Sequence, residues 1–199
     1  MKKIKVMKAD PRKPDKKVIL AAVKALKSGK LIIFPTETVY GLAADPFNKK
    51  AVEKLLKLKK RPRGKPLQLL ISDIKQIKSL VKKIPAHVKK IIKRSWPGPL
   101  TLILPKKRTI PDFVAGNLNT VGIRMPDHPV ALELIRSFGA PIAATSANIS
   151  GQKPPKTAKQ AIRSIKKGIA LVIDSGKAKL GKSSRVLDAT KKKMKLLRS

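Results

Sequence analysis

Gly29-Lys-Leu-Ile-Ile-Phe-Pro-Thr-Glu-Thr-Val-Tyr-Gly-Leu-Ala-Ala-Asp-Pro46 runs a continuous apolar stretch straight into a loop crowded with hydroxyls. Residues 31–34 do not alternate in polarity, which is the pattern of a strand covered on both faces within an α/β sheet. Pro35 has no amide hydrogen and stops the ladder, so Thr36, Glu37, Thr38 and Tyr40 gather at the strand end. Ligands of α/β sheets bind beyond strand ends, which makes this segment the first candidate site.

The same alternation extends in both directions. Asp15 caps an expected helix over 15–28, with Val18, Ile19, Ala22, Val23 and Leu26 at helical spacing and Gly29 at its stop. Asn48 caps a second helix, which ends in the basic run Lys59-Lys-Arg61-Pro-Arg63-Gly-Lys65-Pro66. Further strands are expected at 67–71, 100–104, 121–125, 141–145, 169–173 and 185–187. Helices are expected at 74–81, 86–93, 130–138 and 158–166. No long linker, low-complexity block or internal repeat interrupts this order. The expectation is an α/β fold: one domain over 1–199 with its core at about 15–198, built on a twisted mixed sheet with helical cover.

Composition narrows the partners. The 199 residues include 48 Lys and Arg against 11 Asp and Glu, a formal charge of +37 that favours nucleotides, nucleic acid or acidic surfaces. Lysines on solvent-facing helix positions explain part of this charge without any partner. Aromatic residues are only 3%, so the core must be aliphatic, with Trp96 as its one large anchor. Cysteine is absent, which excludes disulfides, thiolate nucleophiles and Cys-ligated metals. The Met1-Lys-Lys-Ile-Lys5 start has no apolar stretch of signal-peptide length behind it, and no run approaches a membrane span. A cytoplasmic protein with no membrane contact is expected.

Two motifs invite misreading. Gly176-Lys-Ala-Lys-Leu-Gly181-Lys182-Ser183 matches the phosphate-loop pattern, but that mechanism needs a helix to start at the lysine, and Ser184-Arg-Val-Leu-Asp188 reads as a strand. His87 lies on a basic helix and His128 in an Asp-His-Pro turn. Neither has a second ligand at metal spacing, so both read as surface or capping residues and no metal site is expected. No Gly-x-Ser-x-Gly elbow presents a hydrolase nucleophile.

What remains is a set of polar loops after strands: 36–38, 59–65, Thr120 with Arg124, 145–151, and Ser183-Ser184. Hydroxyls and cations that converge without a metal or strong base suit an anionic substrate such as a nucleoside triphosphate. Catalysis there is largely positioning and charge neutralisation.

These segments carry a family resemblance. Phe34-Pro-Thr-Glu-Thr-Val-Tyr-Gly41, Lys59-x-Arg61-Pro62, Trp96-Pro-Gly-Pro99-Leu-Thr101, Val121-Gly-Ile-Arg124-Met-Pro126 with His128-Pro129, and Ser146-Ala-Asn148-Ile-Ser150-Gly151 come in the order and spacing of the YrdC-like threonylcarbamoyl-AMP synthases. The resemblance covers roughly residues 15–198 and is to the short, single-domain class. It implies a twisted mixed sheet around a basic concave ligand face, and a nucleotidyltransferase that joins L-threonine, bicarbonate and ATP into threonylcarbamoyl-adenylate and pyrophosphate. A downstream transferase complex then moves the threonylcarbamoyl group to the tRNA adenosine beside the anticodon.

Carried onto this chain, the resemblance places Thr38, Arg124, Ala144 and Ser184 at threonine. It places Arg61, Lys65, Thr120, Ser146, Asn148 and Arg198 at ATP, with Lys59 and Arg61 as the catalytic cations. Arg124 is expected to pair bidentately with the amino acid's carboxylate. The nucleophile is a threonine carbamate, already an anion, so no strong protein base is needed for the adenylation step. Magnesium comes with ATP, and no tightly bound cofactor is expected. Glu37 reads either as a residue supporting the threonine or metal contacts, or as a cap or salt-bridge partner of a nearby lysine. The chain departs from many relatives at Lys65 (Asn there), at Leu70 (His there) and at Ser183-Ser184-Arg185 (Glu-Ser-Thr there). A noncatalytic tRNA- or double-stranded-RNA-binding module of the same fold is the alternative, with direct tRNA contact left open.

Overall fold

The computed structural model describes residues 4–62 and 64–199; Met1, Lys2, Lys3 and Arg63, part of the N-terminal and 59–65 basic runs, lie outside them. In chain order come β1 (Lys5–Lys8), α1 (Lys16–Lys27), β2 (Leu31–Phe34), β3 (Gly41–Ala44), α2 (Lys49–Leu58), β4 (Gln68–Leu70), α3 (Ile77–Leu80), α4 (Ala86–Ser95) and β5 (Leu100–Pro105). Then follow α5 (Asp112–Ala115), β6 (Thr120–Arg124), α6 (Pro129–Phe138), β7 (Ile142–Ser146), α7 (Ala158–Ser164), β8 (Ile169–Asp174), β9 (Arg185–Asp188) and β10 (Lys195–Arg198). The strands form one twisted mixed sheet in the order β1-β8-β2-β3-β7-β4-β6-β5-β9-β10.

Local chemistry sets the element ends. Asp15 accepts from the amide of Lys17 at 2.6 Å, and Asn48 accepts from the amide of Ala51 at 3.0 Å, each satisfying an orphan donor of a first turn. The expected helix at 74–81 splits because Asp73 and Gln76 form a capping box over a 3-10 turn, Ile74–Gln76, ahead of α3. Periodicity did not signal β1, β3, α5 or β10. Gly41-Leu-Ala-Ala has little strand propensity and is held between β2 and β7, while β1 and β10 are the Lys-bearing outer strands of the sheet.

Two apolar layers sandwich the sheet. On one face α2, α3, α4 and α7 pack over Leu31, Ile33, Leu42, Leu69, Leu102 and Ile123. On the other, α1 and α6 pack over Ile32, Phe34, Ala43, Ile142 and Leu171. This second cover stops partway across. Beyond β7 the register sets Ala144 beside Gln68, Gln68 beside Gly122, and Gly122 beside Ile103, so small and polar side chains replace the aliphatic ones on that same face. No helix among the described residues is long and apolar enough to cross a membrane.

Candidate active site

Where the α1 and α6 cover ends, the uncovered face forms a cleft of about 270 Å³. Its floor is Gln68, Thr101, Gly122 and Ala144 from the central strands; loops at strand ends supply Thr38, Arg61, Ser146 and Ser184, and β10 supplies Arg198. Gly122 is a fit to this floor: a Cβ there would meet Thr101 Cγ2 at 3.2 Å and Gln68 Cβ at 3.8 Å.

The β2–β3 loop shapes one wall. Thr36 Oγ1 donates to the Val39 carbonyl at 2.6 Å and lies 2.8 Å from Thr38 Oγ1, so the buried Thr36 turns the loop and Thr38 faces the cleft. Between them Glu37 points away from the threonines to Arg124 on β6. Glu37 Oε1 and Arg124 Nη2 are 2.6 Å apart, with the two residues 4% and 2% exposed. The two groups form a close, buried ion pair. Arg124 Nε donates to the Gly98 carbonyl at 3.1 Å, which leaves Nη1 without a protein acceptor among the described residues. Burial lowers the Arg124 pKa and the Glu37 charge opposes that shift. In the Arg124 whose bidentate pairing the resemblance implies, the fold thus commits Nε to Gly98 and sets Glu37 against Nη2.

Opposite lies a directional hydrogen-bond chain. Arg198 Nη2 donates to Ser184 Oγ at 3.1 Å, Ser184 Oγ is 2.9 Å from Thr101 Oγ1, and Thr101 Oγ1 donates to Gln68 Oε1 at 2.9 Å. With Thr101 donating to Gln68, Ser184 is the donor to Thr101. Arg198 Nε also donates to the Ser184 carbonyl at 2.7 Å. Arg198 of the outer strand β10 thus fixes the Ser184 hydroxyl at the entry to β9.

The guanidiniums of Arg61, Arg124 and Arg198 all line the cleft. Burial lowers the Arg61 pKa, with Arg198 adding to the shift; burial lowers that of Arg198, with Arg124 adding. Arg61 is held by the Pro66 carbonyl at 2.7 Å. Beneath Ser146, the buried Lys59 Nζ donates to the carbonyls of Ser146 at 2.7 Å and Asn148 at 2.8 Å. Burial first, and Arg61 second, push its pKa down to about 8. Such a cluster attracts polyanions.

Of the residues singled out from sequence, Thr38, Arg61, Thr120, Arg124, Ala144, Ser146, Ser184 and Arg198 line this one cleft. Three do not. Lys65 is exposed outside it, Lys59 lies beneath it, and the Asn148 amide donates to the Ile149 and Gln152 carbonyls of its own loop. Glu37 pairs with Arg124 and not with a lysine. His128 occupies the N-cap position of α6 but its side chain makes no cap bond, and it is half-buried, with burial lowering its pKa against the pull of Glu37 and Asp127. The 176–183 loop leads into β9 and not into a helix, so it lacks the phosphate-binding helix start. Sequence reasoning missed Gln68 and Thr101 as lining residues; Gln68 is the lone polar residue in Leu67-Gln-Leu-Leu-Ile71, which was its available signal.

Comparison with known proteins places this cleft in context. A family model for Sua5, YciO and YrdC, described as telomere recombination, matches residues 24–199. The threonylcarbamoyl-AMP synthase of Pyrococcus abyssi is 43% identical over 180 residues, covering 90% of this chain and 53% of that protein. Its Bacillus subtilis counterpart is 45% identical over 170 residues, covering 85% and 49%. The chain spans about half the length of these two relatives. A crystal structure of Pyrococcus abyssi Sua5 complexed with L-threonine superposes with a TM-score of 0.92 at 41% identity, covering 97% of this chain and 56% of that one.

Proposed function

The chain belongs to the Sua5, YciO and YrdC family, and from that premise we propose that it is an L-threonylcarbamoyladenylate synthase, a nucleotidyltransferase acting on L-threonine, bicarbonate and ATP. The observation that carries this reading is the cleft itself, in which the guanidiniums of Arg61, Arg124 and Arg198 stand together with the hydroxyls of Thr38, Thr120, Ser146 and Ser184. The similarity to a protein captured with L-threonine supports the same assignment.

In this reading Arg124 receives the threonine carboxylate through Nη1, and Thr38 and Ser184 supply hydroxyls around the rest of the amino acid. The threonine amine, once its ammonium has lost a proton to solvent, is carboxylated by bicarbonate with loss of water to a carbamate whose oxygen attacks the α-phosphorus of ATP. The bond to the bridging oxygen breaks and pyrophosphate leaves with the electron pair. Arg61 and Arg198 neutralise charge on the phosphates, and the Lys59 ammonium adds its field from beneath Ser146. Because the nucleophile is an anion before it attacks, the adenylation step has no need of a general base. Magnesium arrives on ATP, held by phosphates and water, as part of the substrate. The adenylate is a reactive mixed anhydride, which suits transfer to a tRNA adenosine by a partner complex.

Incubation with ATP, labelled bicarbonate and L-threonine tests the proposal. Threonine-dependent pyrophosphate and a labile labelled adenylate are expected. A chain that binds RNA without catalysis would give neither, under any magnesium concentration.

A further inference from the structure

Glu37 is an expensive residue to bury. Its carboxylate is 4% exposed, and neither oxygen accepts an aligned hydrogen bond among the described residues, although Arg124 lies 2.6 Å away. Desolvating such a pair offsets much of its attraction, so stability alone gives a weak reason for it to be there. Its placement is specific. The loop that carries it is pinned on both sides, by Thr36 turning the chain and by the amide of Leu180 donating to the Glu37 carbonyl at 2.8 Å. The side chain stands behind Arg124, and Glu37 itself is not among the residues that line the cleft.

Two consequences follow from that geometry. First, with Nε given to Gly98 and Nη2 to Glu37, the guanidinium is held in one orientation, with Nη1 as its remaining nitrogen. Second, a fixed negative charge lies behind one guanidinium of three, since Arg61 and Arg198 have only carbonyl or hydroxyl acceptors among the described residues. Repulsion from a fixed charge scales with the charge of what approaches. A polyphosphate is penalised several times more than a monocarboxylate, and a group bearing an ammonium is attracted. The surroundings of Arg124 are thereby biased towards a small zwitterion, and Arg61 and Arg198 are left to phosphates.

We propose that Glu37 is a positioning residue that reserves Arg124 for the amino acid's carboxylate and keeps phosphate groups off that guanidinium. This deepens the synthase reading and rests on it for the identity of the two substrates. It is discrimination by an unfavourable element and not only by attraction, which matters where both ligands are anions competing for arginines.

The test is calorimetric titration of the full chain with L-threonine and with inorganic pyrophosphate, each alone and in competition, in parent, Glu37→Gln and Glu37→Asp proteins. Glu37→Gln keeps the shape and removes the charge. It should weaken threonine by roughly tenfold and turn pyrophosphate into a competitor of threonine, with apparent affinity raised at least about threefold. Glu37→Asp keeps the charge and should stay within about threefold of the parent in both respects. In turnover, Glu37→Gln should raise the threonine KM far more than it lowers kcat. Equal weakening of threonine and ATP, or pyrophosphate that does not compete in Glu37→Gln, overturns the proposal. If Glu37→Gln does not fold, Glu37→Asp decides: loss of threonine selectivity with the charge still present overturns it, and retention supports it. A parent that binds pyrophosphate but no threonine refutes the synthase reading separately, and stronger pyrophosphate binding by Glu37→Gln would still support the exclusion of phosphate.

Discussion

The ammonium of Lys59 donates to the carbonyl oxygen of Ser146 at 2.7 Å, so the cation beneath the cleft is held by backbone dipoles and pairs with no carboxylate among the described residues. The end of α2 is thereby tied to the end of β7, and the amide of Ser150 donating to the Lys59 carbonyl at 2.8 Å closes the tie from the other side. A buried cation held this way remains electrostatically unsatisfied, available to stabilise an anion placed above it.

Lys59 makes stability depend on alkaline pH in a definite direction. The folded chain releases this proton near pH 8, whereas an unfolded lysine holds it to about 10.4. Between those values the unfolded state binds more protons, so the penalty Lys59 imposes below pH 8 is relieved as pH rises. Urea denaturation of parent and Lys59→Met across pH 7.5 to 10.5 should show the parent-minus-variant stability rising by roughly 2–4 kcal/mol. A flat or falling difference would refute the assignment.

Arg124→Ala leaves the Glu37 carboxylate buried without its cation, which should cost about 3–5 kcal/mol of stability. Replacing both residues, in Glu37→Gln/Arg124→Gln, should cost less than Arg124→Ala alone, as judged by denaturant midpoints. At matched folded fraction, Arg124→Ala should abolish threonine-dependent pyrophosphate release while nucleotide affinity changes little. Equal loss of both would mean that the cleft is divided between its ligands differently.

Thr101→Val removes the hydroxyl that links Ser184 to Gln68. The buried Ser184 and the half-buried Gln68 each lose a bond, worth about 1–3 kcal/mol in thermal or urea unfolding. Ser184 loses its fixed direction, so the threonine KM should rise more than the ATP KM. A variant that unfolds earlier but keeps both KM values would place Thr101 in structure only.

Gly122→Ala adds a methyl to the floor, where Thr101 Cγ2 stands 3.2 Å from the new atom. A small shift of Thr101 accommodates it, so stability should change by less than about 1.5 kcal/mol. The methyl also enters the cleft, and ligand affinity measured by calorimetry should fall by more than stability does. An unchanged affinity would put the bound ligand away from the β6 floor.

Much of the frame was legible because burial leaves a periodic trace. The uniform apolar run at 31–34, the helical spacing of Val18 to Leu26, and the caps Asp15 and Asn48 each state a local preference that the tertiary structure keeps. Strands β1, β3 and β10 left no such trace. Their conformation comes from neighbours distant in sequence: β1 pairs with β8, β3 is clasped by β2 and β7, and β10 pairs with β9.

For the site, sequence by itself determined which chemical groups are present: hydroxyls at 36, 38, 146 and 184, and cations at 59, 61, 124 and 198. Only the tertiary structure decided how they are used. Whether a lysine faces a ligand or carbonyls, whether an asparagine binds outward or clamps its own loop, and which carboxylate meets which guanidinium are set by strand register and burial, which bring residues 37 and 124, or 101 and 184, within hydrogen-bond reach. Charge is written in the chain, but the low-dielectric surroundings that give Lys59, Arg124 and Glu37 their force exist only once the sheet and its covers have closed around them.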